Sequence, residues 1–319
     1  MGQIQGISYY LPEDTLTNAE LSTLFDWSDR KIFDKIGIET RHIARDDEYV
    51  SDLAEKAALK LFDEYAIERS SIDFILLATQ SPDYLLPTTA CVLQHRLGLS
   101  KHCGAVDFNL GCSAYVYGLA FAKSLIQTEI ASNILLIASE TYSKHLHPED
   151  KSTRTIFGDG AAATLIGKGS SIGEFTLNTD GSGYDHLIIP ASGMKLDASS
   201  NDKDRYLYMN GPEIFNFTLR ELPEAVKKTL EKNKLKMEDI DLFVFHQANK
   251  FILDHLRRIL KIPEERFYSN MKETGNTVSA TIPIALKLAE IDGRLKKGNT
   301  VLLAGFGVGL SWGCVVLTW

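Results

Sequence analysis

Apolar residues along this chain gather into short continuous runs that alternate with segments of helical spacing. Asp73-Phe74-Ile75-Leu76-Leu77-Ala78-Thr79-Gln80 reads as a strand buried on both faces, and the stretch from Thr88 to Leu97 after it reads as a helix. Ala105 to Leu110 is again mostly apolar. Tyr115, Leu119, Ala122 and Ile126 then recur at helical spacing, predicting a helix that ends near Ile130. Asn133 to Ser139 is a further apolar strand, and the turn Gly158-Asp159-Gly160 leads into another at Ala161 to Ile166.

The same order returns later. Asp241-Leu242-Phe243-Val244-Phe245-His246-Gln247 reads as a strand and Asn249 to Leu260 as a helix. A helix carrying Ile282, Leu286 and Ala289 follows Gly275-Asn276-Thr277. Thr300 to Leu303, the turn Gly305-Phe306-Gly307-Val308-Gly309 and Ser311 to Leu317 close the series. Matched elements in matched order predict an α/β protein of two duplicated halves, residues 1–170 and 171–319, divided near Gly169 to Glu174. The polar stretch Asp197 to Arg205 reads as a surface excursion.

Composition narrows the class. The 319 residues are 44% hydrophobic and 24% charged, values of a globular protein without a membrane span. No apolar run reaches the roughly 18 residues a spanning helix needs. The net charge of -8 argues against a nucleic-acid surface. Cys91, Cys103, Cys112 and Cys314 form no C-x-x-C pair and no disulfide framework, and the N-terminus shows no secretory pattern, so a cytoplasmic protein is expected. His145 and His147 lie near Glu149 and Asp150 in a polar loop without a matching second cluster, so no metal is expected.

Cys112 stands where a strand turns into a helix, within Asp107-Phe108-Asn109-Leu110-Gly111-Cys112-Ser113-Ala114. A sulfur at a helix N-terminus meets unpaired backbone N–H groups and the positive end of the helix dipole, which favour the nucleophilic thiolate. His246 and Asn276 also fall at strand ends or helix starts, and Asn276 occupies the position matching Cys112 in the other half. If the halves pack about a pseudo-twofold axis, these ends converge on one site.

Gly111-Cys112-Ser113, His246-Gln247-Ala248-Asn249, Gly275-Asn276-Thr277 and Gly305 to Gly313 together resemble ketoacyl-acyl-carrier-protein synthase III, a branch of the thiolase-like condensing enzymes. Gly37 to Ala44 and Phe157 to Ala163 match as well, and the likeness runs from residue 1 to residue 319. The resemblance implies a layered α-β-α-β-α fold, a homodimer, and acyl-CoA and malonyl-acyl-carrier protein as substrates with no cofactor. It implies Cys112 as nucleophile, His246 and Asn276 as a hydrogen-bonding pair, and the backbone N–H groups of Cys112 and Val308 as an oxyanion hole.

The implied reaction begins with transfer of an acyl group from CoA to Cys112. Malonyl-acyl-carrier protein then loses carbon dioxide, and the enolate attacks the acyl-cysteine. Decarboxylation makes the carbanion without proton abstraction, so donors rather than a strong base are needed. A thiolase uses a second cysteine beside the C-terminal glycine turn, and elongating synthases carry two histidines. Here the turn has no cysteine, and Asn276 holds the second position.

Other positions follow from the same resemblance. Leu86 stands where the family often has a primer-pocket Phe donated by the partner subunit. Phe157 and Phe306 are expected to flank the cysteine, Gly211 to border the pantetheine channel, and Asn249 to contact substrate. Lys31 and Lys35 replace a tryptophan and an arginine of the CoA mouth, with Trp27 nearby. Phe251 replaces a commonly basic residue, leaving Lys250, Arg257 and Arg258 as a basic patch for an acidic carrier protein or a phosphopantetheine phosphate. A non-decarboxylating or secondary-pathway acyltransferase, and an idle partner subunit, remain alternatives.

Overall fold

A computed structural model describes residues 2–196 and 200–319. The first half runs β1 (Gly2–Tyr10), α1 (Asp29–Ile36), α2 (Val50–Tyr65), β2 (Phe74–Ala78), α3 (Thr89–Arg96), β3 (Gly104–Phe108), α4 (Ala114–Gln127), β4 (Ile134–Glu140) and β5 (Gly160–Lys168). The second runs β6 (Ile172–Thr179), α5 (Gly211–Lys232), β7 (Leu242–Phe245), α6 (Lys250–Ile259), β8 (Phe267–Tyr268), α7 (Thr281–Ile291), β9 (Thr300–Gly307) and β10 (Ser311–Thr318).

Each half builds one five-stranded sheet, in the orders β1-β5-β4-β2-β3 and β6-β10-β9-β7-β8. The central strands are parallel, with Leu76 opposite both Leu136 and Val106 in one sheet and Val244 opposite both Leu303 and Tyr268 in the other. The outer pairs β1–β5 and β6–β10 are antiparallel. Continuous apolar strands demand cover on both faces, and helices supply it. Leu119, Ala122 and Ile126 of α4 share a core with Ile282, Ala285 and Leu286 of α7, between Leu76 and Leu136 of one sheet and Val244 and Leu303 of the other. Outside, Leu53, Ala57 and Leu61 of α2 pack on the first sheet, while Phe217 of α5 and Leu256 of α6 pack on the second. The result is the α-β-α-β-α stack.

Local signals start and stop the helices. Ser28 caps α1 by accepting from Lys31 N, Asp29 sits in its first turn, and Gly37 ends it at φ +72°. The predicted surface excursion at Asp197 to Arg205 lies partly outside the described residues; Asp202–Arg205 is a short 3-10 turn without buried residues. Among the described residues no helix is long and apolar enough to cross a membrane.

Candidate active site

Cys112 lies in the turn between β3 and α4, two residues before the helix begins, and is 6% exposed. The glycine turn at the end of β9 closes over it. A Cβ on Gly307 would lie 2.9 Å from Cys112 Cβ and 3.0 Å from its Sγ, so only glycine fits there. A Cβ on Gly111 would meet Val308 Cγ1 at 2.8 Å, which places Val308 against the cysteine turn. The expected helix start is found, but its electrostatic consequence is not. Burial pushes the thiol far above its ordinary value, Glu140 adds to the rise, and the Cys112 backbone N–H only partly opposes it. Burial therefore favours the thiol over the thiolate.

His246 follows β7 directly, its backbone N–H donating to Ala304 O at 2.8 Å. Its ring packs edge-on against Phe306, centroids 5.4 Å apart, one residue before the glycine that touches Cys112. Nδ1 lies 2.7 Å from Thr281 Oγ1. Burial drives the imidazole pKa down to about 3, so the ring is neutral.

Asn276 is held by the backbone on three sides. Its N–H donates to Ile156 O at 3.0 Å and its carbonyl accepts from Gly158 N at 3.0 Å, a parallel bridge to Phe157. Its Nδ2 donates to Ala248 O at 3.3 Å, and its Oδ1 accepts from Val278 N at 2.9 Å. Arg41, fully buried, braces this turn: its Nε donates to Thr155 O at 2.8 Å, and its Cγ lies 3.0 Å from where a Gly275 Cβ would stand. Cys112 against Gly307, His246 against Phe306 and Asn276 against Ala248 therefore meet at the ends of β9 and β7.

Glu140, the last residue of β4, went unnoticed in the sequence. It is fully buried. Oε2 accepts from Gln80 N at 3.0 Å and Ser81 Oγ at 3.1 Å, and Oε1 from Ser279 Oγ at 2.8 Å. Burial pushes its pKa up to about 8 against these donors. A carboxylate ending a mostly apolar strand was the available signal.

A cavity of about 690 Å³ adjoins the site, walled by Gln80, Ser81, Tyr142, Leu85, Val308 and Gly309 among others. Phe157 is buried against Tyr142 at 5.1 Å. Leu86 is 82% exposed on the 81–88 loop, while its neighbour Leu85 lines this cavity. Asn249 Oδ1 is engaged in capping α6 through Ile252 N at 2.9 Å, a structural task that the sequence reading did not anticipate. Gly211 opens α5, with open space where a Cβ would be.

The cations divide into two groups. Lys31, Lys35 and Lys151 surround the Trp27 ring at 5.3, 4.4 and 5.0 Å from its centroid. Lys151 was missed because its partner lies more than a hundred residues away. Lys250, Arg257 and Arg258 line a separate cleft with Lys272 and Arg294; Lys250 pairs with Asp254, and Arg257 with Glu264 at 3.7 Å. Among the described residues no group of three His, Cys, Asp or Glu side chains is arranged to hold a metal.

Comparison with known proteins identifies the family. The family model described as 3-oxoacyl-[acyl-carrier-protein (ACP)] synthase III matches residues 106–181, and its C-terminal counterpart matches residues 230–319. The chain is 39% identical to a beta-ketoacyl-[acyl-carrier-protein] synthase III of Clostridioides difficile, covering 99% of this chain and 98% of that one. A crystal structure of a 3-oxoacyl-(acyl-carrier-protein) synthase III superposes with a TM-score of 0.97 at 46% identity, covering 100% and 99% of the two chains. The enzyme of Thermus thermophilus gives 0.93 at 39% identity, covering 99% and 98%. The chain belongs to the 3-oxoacyl-[acyl-carrier-protein] synthase III family and has its thiolase-like fold.

Proposed function

We propose that this protein condenses an acyl-CoA primer with malonyl-acyl-carrier protein, releasing carbon dioxide and giving a 3-oxoacyl-acyl-carrier protein that starts fatty acid synthesis. The observation that supports this reading is Cys112 against Gly307, His246 against Phe306 and Asn276 against Ala248, two residues beyond His246, beside a cavity large enough for an acyl chain.

Cys112 Sγ attacks the primer carbonyl, and the backbone N–H groups of Cys112 and Val308 stabilise the oxyanion. The S–C bond to the enzyme forms as the bond to CoA sulfur breaks, and the thiol proton leaves on CoA as its free thiol. Malonyl decarboxylation then places negative charge on the thioester oxygen. His246 Nε2–H and the second amide hydrogen of Asn276 donate to it, each such donor lowering the barrier by about 3 kcal/mol. The enolate carbon attacks the acyl-cysteine, and the cysteine sulfur leaves as a thiolate that takes up a proton from solvent to restore the thiol. No step asks His246 to ionise, which suits a ring that burial keeps neutral.

The halves 1–170 and 171–319 each supply one side of this site. Lys31, Lys35 and Lys151 around Trp27 suit the phosphates of CoA, and the cleft of Lys250, Arg257 and Arg258 suits an acidic carrier protein. A homodimer is supported by β3, an edge strand carrying exposed Val106, and by the outward Leu86, which would enter the partner's primer pocket. The enzyme would act in the cytoplasm without a cofactor.

Incubation with acyl-CoA should add one acyl mass to the wild type and none to Cys112→Ala. Malonyl-carrier protein should then discharge it with release of carbon dioxide. Acylation without that release would instead make the protein a non-decarboxylating acyltransferase.

A further inference from the structure

Thr281 opens α7, is 3% exposed, and carries a hydroxyl with two neighbours. Its Oγ1 lies 2.7 Å from His246 Nδ1 and 3.0 Å from Val278 O. A threonine hydroxyl has a single hydrogen, so it cannot donate to both. Donation to Val278 would require His246 to carry its proton on Nδ1 and leave Nε2 bare. Donation to Nδ1 would put the imidazole proton on Nε2. The two arrangements offer a substrate opposite chemistry.

The competing acceptors are not equally in need. Val278 O already receives the backbone N–H of Thr281. The contact to His246 Nδ1 is the shorter of the two, 2.7 against 3.0 Å, and with Val278 O already served the single hydroxyl hydrogen goes to the ring nitrogen. We infer that Thr281 is a positioning residue for condensation: its hydroxyl donates to His246 Nδ1 and so holds the imidazole as the Nε2–H tautomer that donates to the enolate oxygen. This rests on the donor role proposed for His246.

The turn that carries Thr281 is built to hold that alignment. Val278 is β-branched yet sits at φ +54°, in the left-handed region where such a residue is strained. Two contacts keep it there. Its N–H donates to Asn276 Oδ1, and the next residue, Ser279, donates to Glu140 across the two halves. One strained turn thus fixes the Asn276 amide from one side and the His246 ring from the other.

The tautomer is read directly from the ¹⁵N shifts of histidine-labelled protein, with the His246 signals assigned by their loss in His246→Asn. Wild type should show a bare Nδ1 and a protonated Nε2; a protonated Nδ1 would overturn the inference without any reference to activity. Thr281→Val keeps the shape and removes the donor. It should slow condensation by the pre-acylated enzyme about ten- to thirtyfold while acylation stays within about threefold. Thr281→Ser should restore condensation to within about threefold of wild type. Equal slowing of both half-reactions, or no rescue by serine, would mark Thr281 as packing alone. If His246→Ala condenses normally, the donor reading of His246 fails, while the ¹⁵N spectrum still decides which nitrogen Thr281 serves.

Discussion

Two equivalent corners of this molecule have been put to different uses. In one, the helix start of the first half (Cys112, two residues before α4) meets the last residue of a strand in the second half, Gly307 of β9. In the other, the helix start of the second half meets the last residue of a strand in the first half, Glu140 of β4; the residue there is Ser279, two before α7, and not Asn276, which the sequence pairs with Cys112 but which lies five before it. The topology is the same and the chemistry is opposite. One corner removes a side chain so that a sulfur can sit beside backbone; the other buries a carboxyl group that ties the halves together. A duplicated scaffold thus offers two sites, and this chain makes one reactive and the other a clamp.

Substitution at each corner should expose the difference. Cys112→Ala should abolish acyl-enzyme formation, measured by intact mass. Ser279→Ala, its counterpart, should leave acylation within about tenfold, since it removes one hydrogen bond. Comparable losses would mean that the corners are not chemically distinct. Next in size, His246→Ala or Asn276→Ala should slow carbon dioxide release from malonyl-carrier protein by about 10²–10³ while the cysteine still acylates. Gly307→Ala should slow acylation roughly tenfold and lower stability by about 1–3 kcal/mol, because its methyl would stand 3.0 Å from Cys112 Sγ. The Gly307 result is read from burst kinetics and thermal unfolding; an unchanged burst would show that the glycine is incidental.

Much of the reactive corner was legible in the sequence, and little of the clamp was. Cys112, His246 and Asn276 are residues of distinctive chemistry set beside glycines at element boundaries, and the repeated strand–helix order shows which ends converge. The duplicated sheets followed from the same pattern, since runs such as Ile134-Leu135-Leu136-Ile137-Ala138 are buried throughout. Glu140, Ser279 and Thr281 are of common types, and their meaning lies in partners up to 139 residues away. Burial was also illegible: the helix start at Cys112 suggested a thiolate, whereas desolvation of the closed site outweighs the hydrogen bond from the Cys112 backbone. Asn249 shows a third limit, since a motif position does not reveal that a side chain also caps its own helix.

The smallest effect on turnover, and the sharpest test of the clamp, is expected at Glu140. Its carboxyl ionises at about 8 in the folded protein against an ordinary 4.5, chiefly because burial disfavours the charge. Between those values the folded state holds a proton that the unfolded state has released, so its contribution to stability falls as pH rises through the window. Asp159, raised to about 6, acts with the same sign over a lower range. His246, lowered to about 3 from 6.5, acts with the opposite sign and is spent by pH 6.5. From pH 6.5 to 8 the slope therefore belongs mainly to Glu140. Glu140→Gln mimics the protonated form at every pH. Its stability relative to wild type should rise by up to about 1.4 kcal/mol per pH unit across that interval, with acylation unchanged within about twofold. Urea unfolding at pH 6.5, 7.25 and 8 measures this; parallel curves would show that the carboxyl is already ionised and that the clamp is a charged one.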